Sequence, residues 1–287
     1  MKKVLTLVLI FLMFFSFKIT LAKGEFIVTN TNSRGAGSFL YAMREAIDKG
    51  GVVKFDIPEE DKNFNGKVWI IKLKDPLPEI NKPIIIDGLS QTEKHGDRNP
   101  DGPEIVIDAS MVVGEETLFY FRKSGFKISG ITIINFKGKG VIETKQAKGD
   151  IHNISIRNAN IGIYLYKANG VKIRNVSVSN LQYGLYLYYS NYNVIDGFYA
   201  ENNTYGIRLY YSMNNEIKNS TVVKCDSGIR VFYNSIKNKL HDNKILRNTD
   251  GIWVRDSHNI ENDIFDNEFT ENKNGIHLLY DTKVQIY

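Results

Sequence analysis

The chain has 287 residues, 43% hydrophobic and 24% charged, with 37 basic against 32 acidic side chains and one cysteine. That is enough apolar material for a large core, and a lone cysteine excludes an internal disulfide. Three of the basic residues (Lys2, Lys3, Lys18) sit in a leading apolar stretch, so the remainder carries +2 in place of +5. So even a balance argues against nucleic acid or an anionic membrane as a partner.

Residues 1–22 have the build of a secretory signal. Lys2 and Lys3 lead, residues 4–17 are apolar, and Thr20, Leu21 and Ala22 offer small residues near a cleavage point. The apolar run is about 14 residues against the roughly 20 that span a bilayer, so removal is expected and a membrane anchor is not. That expectation carries the protein to the periplasm, cell surface or medium, with residues 23–287 as one domain.

A first strand is expected over residues 25–30. Ser38 then caps a helix over Phe39–Lys49, with Phe39, Met43, Ala46 and Ile47 on one face and Gly50-Gly51 ending it. A stack of strands has an open apolar end, and this helix is expected to cover it. The segment from Val28 to Ile47, VTNTNSRGAGSFLYAMREAI, resembles the opening of many secreted bacterial β-helix proteins.

Residues 51–56, 67–73, 83–87 and 104–108 read as short strands of less regular coils. Asp87 and Asp108 lie 21 residues apart and are expected to stack on adjacent coils. Two readings stand for that pair: calcium or acid–base work, or carboxylates accepting bonds from the turn that follows each strand. Residues 89–102 read as a long loop leaving the coil.

From residue 125 to 283 the chain repeats. Glycines before an aliphatic residue recur at Gly140, Gly162, Gly184, Gly206, Gly228, Gly251 and Gly275, at spacings of 22, 22, 22, 22, 23 and 24. A period of this size marks a stacked solenoid. Ile128, Ile151, Ile173, Ile195, Ile217, Leu240 and Ile264 keep the same period. Two residues after each stands Gly, Asn or Asp, where the coil is expected to turn a left-handed corner. A second apolar column follows: Ile133, Ile156, Val178, Ala200, Val222, Ile245 and Phe269. Alternation within each coil is that of strands with one buried face, and asparagines at equivalent corners can bond from coil to coil. The rhythm of Gly184–Asn202 and of Gly206–Lys224 resembles the right-handed parallel β-helix repeat family, a pectate-lyase-like group that includes NosD-like proteins. The fold expected is all-β: a right-handed parallel β-helix with an amino-terminal capping helix.

The strand side chains two and four residues past each glycine must face outward. They are Tyr164, Tyr186, Arg208, Arg230, Trp253 and His277, then Tyr166, Tyr188, Tyr210, Phe232, Arg255 and Leu279. A row of rings and guanidinium groups on a strand face marks a binding surface, or else rings that stack on one another and stabilise the solenoid. Residues 189, 211 and 233, all tyrosine, fall where the strand bends and fit the second reading better. Tyr164, Tyr166, Tyr186, Tyr188, Arg208, Tyr210, Arg230, Trp253 and Arg255 are the candidate carbohydrate contacts. An extended polysaccharide suits so long a row, the arginines favouring an acidic one.

Resemblance to β-helix polysaccharide lyases implies an Arg or Lys base, for which Arg208 and Arg230 are the candidates, and calcium held by carboxylates. The outward columns of the six repeats hold no Asp or Glu, so no calcium site can be assembled, and no cofactor is expected. Asn248-Thr249-Asp250-Gly251 is similar to the first motif of polygalacturonase-type hydrolases, whose later motifs are missing. His241, His258 and His277 are too scattered for zinc. The NosD-like rhythm implies copper delivery, against which the His, Met and Cys residues do not cluster. A surface or adhesion module is a further alternative, and self-association is expected if nothing covers the carboxy-terminal end of the stack.

Overall fold

A strand that buries alternate side chains still needs backbone partners on both edges, and a 22-residue period supplies them by stacking each coil on the next. The computed structural model describes residues 24–114, 116–256, 261–280 and 284–287. The expected signal, residues 1–22, lies outside them. The described chain winds as a parallel β-helix of about 11 turns. No helix among the described residues is long and apolar enough to cross a membrane.

Three parallel ladders run along the axis. The first starts at Gly24–Val28 and Gly51–Phe55 and ends at Val284–Ile286. The second starts at Trp69–Lys72 and Ile105–Asp108 and ends at Glu268–Thr270. The third starts at Thr117–Phe121 and Gly140–Lys145 and ends at Asn274–Leu279. The expected columns are the ladder registers. Ile151, Ile173, Ile195, Ile217 and Leu240 pair in succession on the first sheet, all 0% exposed. Ile156, Val178, Ala200, Val222 and Ile245 do the same on the second. At the corner between them, Gly130, Asn153, Asn175, Gly197, Asn219, Asp242 and Asp266 all take positive φ, between 49° and 69°.

The glycine period has a separate cause. At Gly184 a Cβ would lie 2.5 Å from the carbonyl oxygen of Gly206, and at Gly206 2.6 Å from that of Gly228. Each coil therefore passes its neighbour closer than any side chain allows. Gly140 does not share this constraint: it registers with Ile161, one position out of the series.

Asparagine ladders are present, and the buried ones lie outside the corner column. Asn193, Asn215, Asn238 and Asn262 are at most 1% exposed, and the Nδ2 of each of the first three donates to the next Oδ1 at 2.9–3.0 Å. The first three also donate through their backbone N–H groups to the same oxygens. A second, exposed ladder joins Asn135, Asn158, Asn180 and Asn202.

The helix forms as read. In α1 (Phe39–Lys49), the Ser38 side chain accepts from the Tyr41 N–H at 3.3 Å and Gly50 closes the carboxy-terminal end. Phe39, Leu40, Ala42, Met43 and Ala46 are buried, with Phe39 stacked on Phe55 at 5.7 Å, so the first coil is covered.

Two expectations are corrected. Residues 89–102 are not wholly loop, for they begin with a short helix, α2 (Leu89–His95). Its signal is tertiary. Ser90 Oγ accepts from the Phe55 N–H at 2.7 Å, and the Gln91 amide bonds both backbone groups of Ile57 at 2.8–2.9 Å. Asp87 and Asp108 do not stack, because Asp87 registers with Ser129 on the first sheet and Asp108 with Ile134 on the second. Asp108 accepts from the Ser110 N–H at 3.0 Å, as the turn reading requires.

Candidate functional site

Alternation along the third sheet puts Ile163, Leu165, Leu185 and Leu187 inside at 0% exposure and the intervening residues outside. The two outward columns stand in the expected register: Tyr164, Tyr186, Arg208, Arg230, Trp253 and His277 on successive rungs, beside Tyr166, Tyr188, Tyr210, Phe232, Arg255 and Leu279. They are less exposed than an open strand face. Tyr164 is only 8% exposed and Phe232 only 1%, while Tyr186, Arg208, Arg230 and Trp253 are half-buried. The cause is mutual packing.

Tyr164 stacks on Tyr186 at 5.2 Å, Tyr166 on Tyr188 at 5.7 Å and Trp253 on His277 at 5.0 Å. At the bend just past the third sheet, Tyr189 and Tyr211 are nearly parallel at 4.8 Å. Their backbones, with Tyr233, take positive φ near 50°, as expected where the strand bends. Ring faces that meet along the axis are spent on one another. What such a ladder presents outward is ring edges, hydroxyls and guanidinium N–H groups.

Two neighbouring tyrosines complete the surface. Tyr183 and Tyr205, each one residue before a repeat glycine, stack at 4.9 Å and share the arginines. The Arg208 guanidinium lies 5.0–5.6 Å from the rings of Tyr183, Tyr186, Tyr205 and Tyr210, and its Nη1 donates to the Tyr183 hydroxyl at 3.1 Å. Arg230 lies 3.9 Å from Phe232, 4.4 Å from Trp253 and 5.0 Å from Tyr205. The sequence signal for Tyr183 and Tyr205 is their shared place one residue before a repeat glycine, outside the two columns that follow it.

Electrostatically the surface is basic. Among the described residues neither Arg208 nor Arg230 has a carboxylate within ion-pair distance, whereas Arg255 pairs with Asp256 at 2.9 Å. Lys139 sits over Tyr164, and Lys145 and Lys167 over Tyr166. Burial pushes the Arg230 guanidinium down from its ordinary value and the Tyr186 hydroxyl up to about 12, so that hydroxyl stays a donor at neutral pH.

The face is not free of carboxylate. The first column extends one rung back to Glu143, 8% exposed, which accepts from Thr117 at 2.8 Å. Asp250 holds His277 at 3.2 Å. Three buried N–H groups of the column, Arg208 Nε, Arg230 Nε and Trp253 Nε1, have no acceptor among the described residues. The asparagine ladders carry no such cost, and unsatisfied donors gathered in one place call for a reason beyond stability.

Among the described residues, which do not include His258, the metal-ligating side chains are apart. Among the described residues no group of three His, Cys, Asp or Glu can hold a metal. His95 bonds Asp56, and His241 lies between Asp242 and Glu216 with its ring on Phe265. Cys225 is buried, which pushes its thiol up to about 11, and Met43 is in the core. These donors do not fit a copper centre.

A family model described as periplasmic copper-binding protein NosD matches residues 122–287. No curated protein matches the chain. Among solved structures, the periplasmic alginate epimerase AlgG is similar at a TM-score of 0.47 and 16% identity, over 79% of this chain and 58% of that one. The chain thus spans less than two thirds of that protein. A hyperthermoactive exopolygalacturonase from Thermotoga maritima is similar at 0.47 and 11%, over 92% and 91% of the two chains. A pectate lyase is similar at 0.46 and 14%, over 93% and 78%. At such identities the likeness is one of fold.

Proposed function

The chain belongs to the NosD family of periplasmic copper-binding proteins, and on that footing we propose that it is an exported β-helix protein that recognises an extended acidic polysaccharide along its third sheet. The observation that carries this reading is the pair Arg208 and Arg230, half-buried on adjacent rungs with no carboxylate partner among the described residues. A cation partly removed from water lowers its free energy by taking an anion, and guanidinium groups bond carboxylates in bidentate fashion. Strands about 4.8 Å apart set the two charges at a spacing that a polymer of charged sugar units can follow. Tyrosine hydroxyls along the same edge supply donors for sugar oxygens. Copper plays no part in this reading, since the described donor set does not fit it.

Calorimetric titration of the protein with polygalacturonate and with a neutral galactan is the direct experiment. Polygalacturonate is expected to bind and to weaken steeply between low and physiological salt, as screening requires, while the galactan binds at least about tenfold more weakly. Equal affinity for both polymers, or none for either, contradicts the proposal. Release of unsaturated sugar that disappears with Arg208→Ala or Arg230→Ala would turn the reading to a lyase.

A further inference from the structure

We propose a second saccharide site, on the outer face of the second sheet, for a neutral pyranose unit; it stands independently of the arginine face. After Asp87 the chain leaves the coil through α2 and returns at Glu104. The return loop is braced from within: Asn99 Nδ2 donates to the Pro103 carbonyl at 3.2 Å, and Thr92 Oγ1 donates to the buried Glu104 carboxylate at 2.5 Å. Ser90 and Gln91 tie the helix to the coil beneath. Between this excursion and the sheet lies a cleft of about 340 Å³, floored by Asn153, Asn175 and Ser177 and walled by Asp97, Pro100 and Glu104. That is near the lower end of small-ligand pockets, about 300–1,000 Å³, and has room for a single sugar unit.

The lining chooses the ligand. Amides and a hydroxyl can both accept and donate hydrogen bonds to sugar hydroxyls, two carboxylates can accept them, and no lysine or arginine among the described residues lines the cleft. A uronate or sulfate there would meet Asp97 and Glu104 without a compensating cation, so the site selects neutral sugar.

One rung beyond Ser177, in register with it, stands Tyr199. It is 40% exposed, and no ring packs against it among the described residues, unlike the tyrosines of the third sheet. Its rung neighbours are Ser177 and Thr221, too small to cover the ring, and its hydroxyl donates to Glu201 at 3.0 Å, which fixes its direction. A fixed ring with a free face, about 4.8 Å along from a polar cleft, is a platform for the next sugar of the same chain.

The test is titration of the full chain with cellohexaose and mannohexaose. At least one is expected to bind. Tyr199→Ala is expected to weaken that binding about tenfold or more, as loss of one stacked ring does, while Tyr199→Phe stays within a few-fold. Melting temperature, compared across these variants, confirms that the exposed side chain leaves the fold intact. The double variant Arg208→Gln/Arg230→Gln is expected to bind the neutral hexamer unchanged even if polygalacturonate binding is lost or never present. The proposal is overturned if neither hexamer binds below about 10 mM, if Tyr199→Ala leaves the affinity as it was, or if polygalacturonate competes for the same site.

Discussion

Replacing Asn215 by alanine is expected to lower the unfolding free energy by about 4 kcal/mol, although no apolar contact of any size is lost. The Asn215 Oδ1 accepts from both the backbone N–H and the Nδ2 of Asn193, each at 2.9 Å, and its Nδ2 donates to the Ser190 carbonyl and to Asn238 Oδ1, each at 3.0 Å. All of these groups are buried. Alanine leaves the backbone N–H of Asn193 and one of its two amide N–H bonds without an acceptor, the other still reaching the Ala168 carbonyl at 3.1 Å, and each such loss in a closed space costs about 1–3 kcal/mol. Water cannot make good the loss without a cavity that opens to it. A thermal melt should show the transition lowered by roughly 10 °C. A drop of under about 1 kcal/mol would mean that the ladder is decoration on an apolar stack.

The second large effect falls on binding. Arg208→Gln combined with Arg230→Gln is expected to reduce affinity for polygalacturonate about a hundredfold, since a hydrogen bond to a charged group contributes about 1.5–3 kcal/mol and the pair supplies at least two. Stability should hardly fall. Glutamine keeps part of the packing against Tyr205 and Trp253, and removing two half-buried cations relieves desolvation and their mutual repulsion. If the arginines only bind the aromatic ladder together, the reverse holds: the variant melts early and its polysaccharide affinity is unchanged.

The coil was legible in the sequence because its constraints are periodic. A left-handed corner admits few residues, and the sequence repeats Gly, Asn or Asp there from Gly130 to Asp266. The buried isoleucines repeat for the same reason, each one packing on its own copy. Helix α1 was legible from Ser38 and Gly50, local signals that need no partner. Helix α2 was not. Gly88 gives it no side-chain cap, and the bonds that hold it run to Phe55 and Ile57, more than thirty residues away. The mispairing of Asp87 with Asp108 has a related cause, for a spacing of 21 counts residues and not the excursion that carries one strand to a different sheet.

For the outward face, position was legible and environment was not. The register of Tyr164, Tyr186, Arg208, Arg230 and Trp253 follows from the repeat alone. That Tyr164 and Phe232 would be buried depends on neighbours from adjacent rungs, Tyr186 and Trp253, closing over them, which no single coil announces. The consequence for recognition is specific. Rings whose faces are stacked cannot also carry sugar rings, so under the proposed function the third sheet would act through hydroxyl and guanidinium edges, whereas Tyr199 on the second sheet has no ring stacked on it among the described residues.

A structure of the protein with a galacturonate hexamer bound tests the central claim most directly. The hexamer should lie along the third sheet, parallel to the axis, with carboxylate oxygens within hydrogen-bond distance, about 2.7–3.2 Å, of both Arg208 and Arg230. A hexamer seated on any other face, with those guanidinium groups still packed only against their rings, would contradict it.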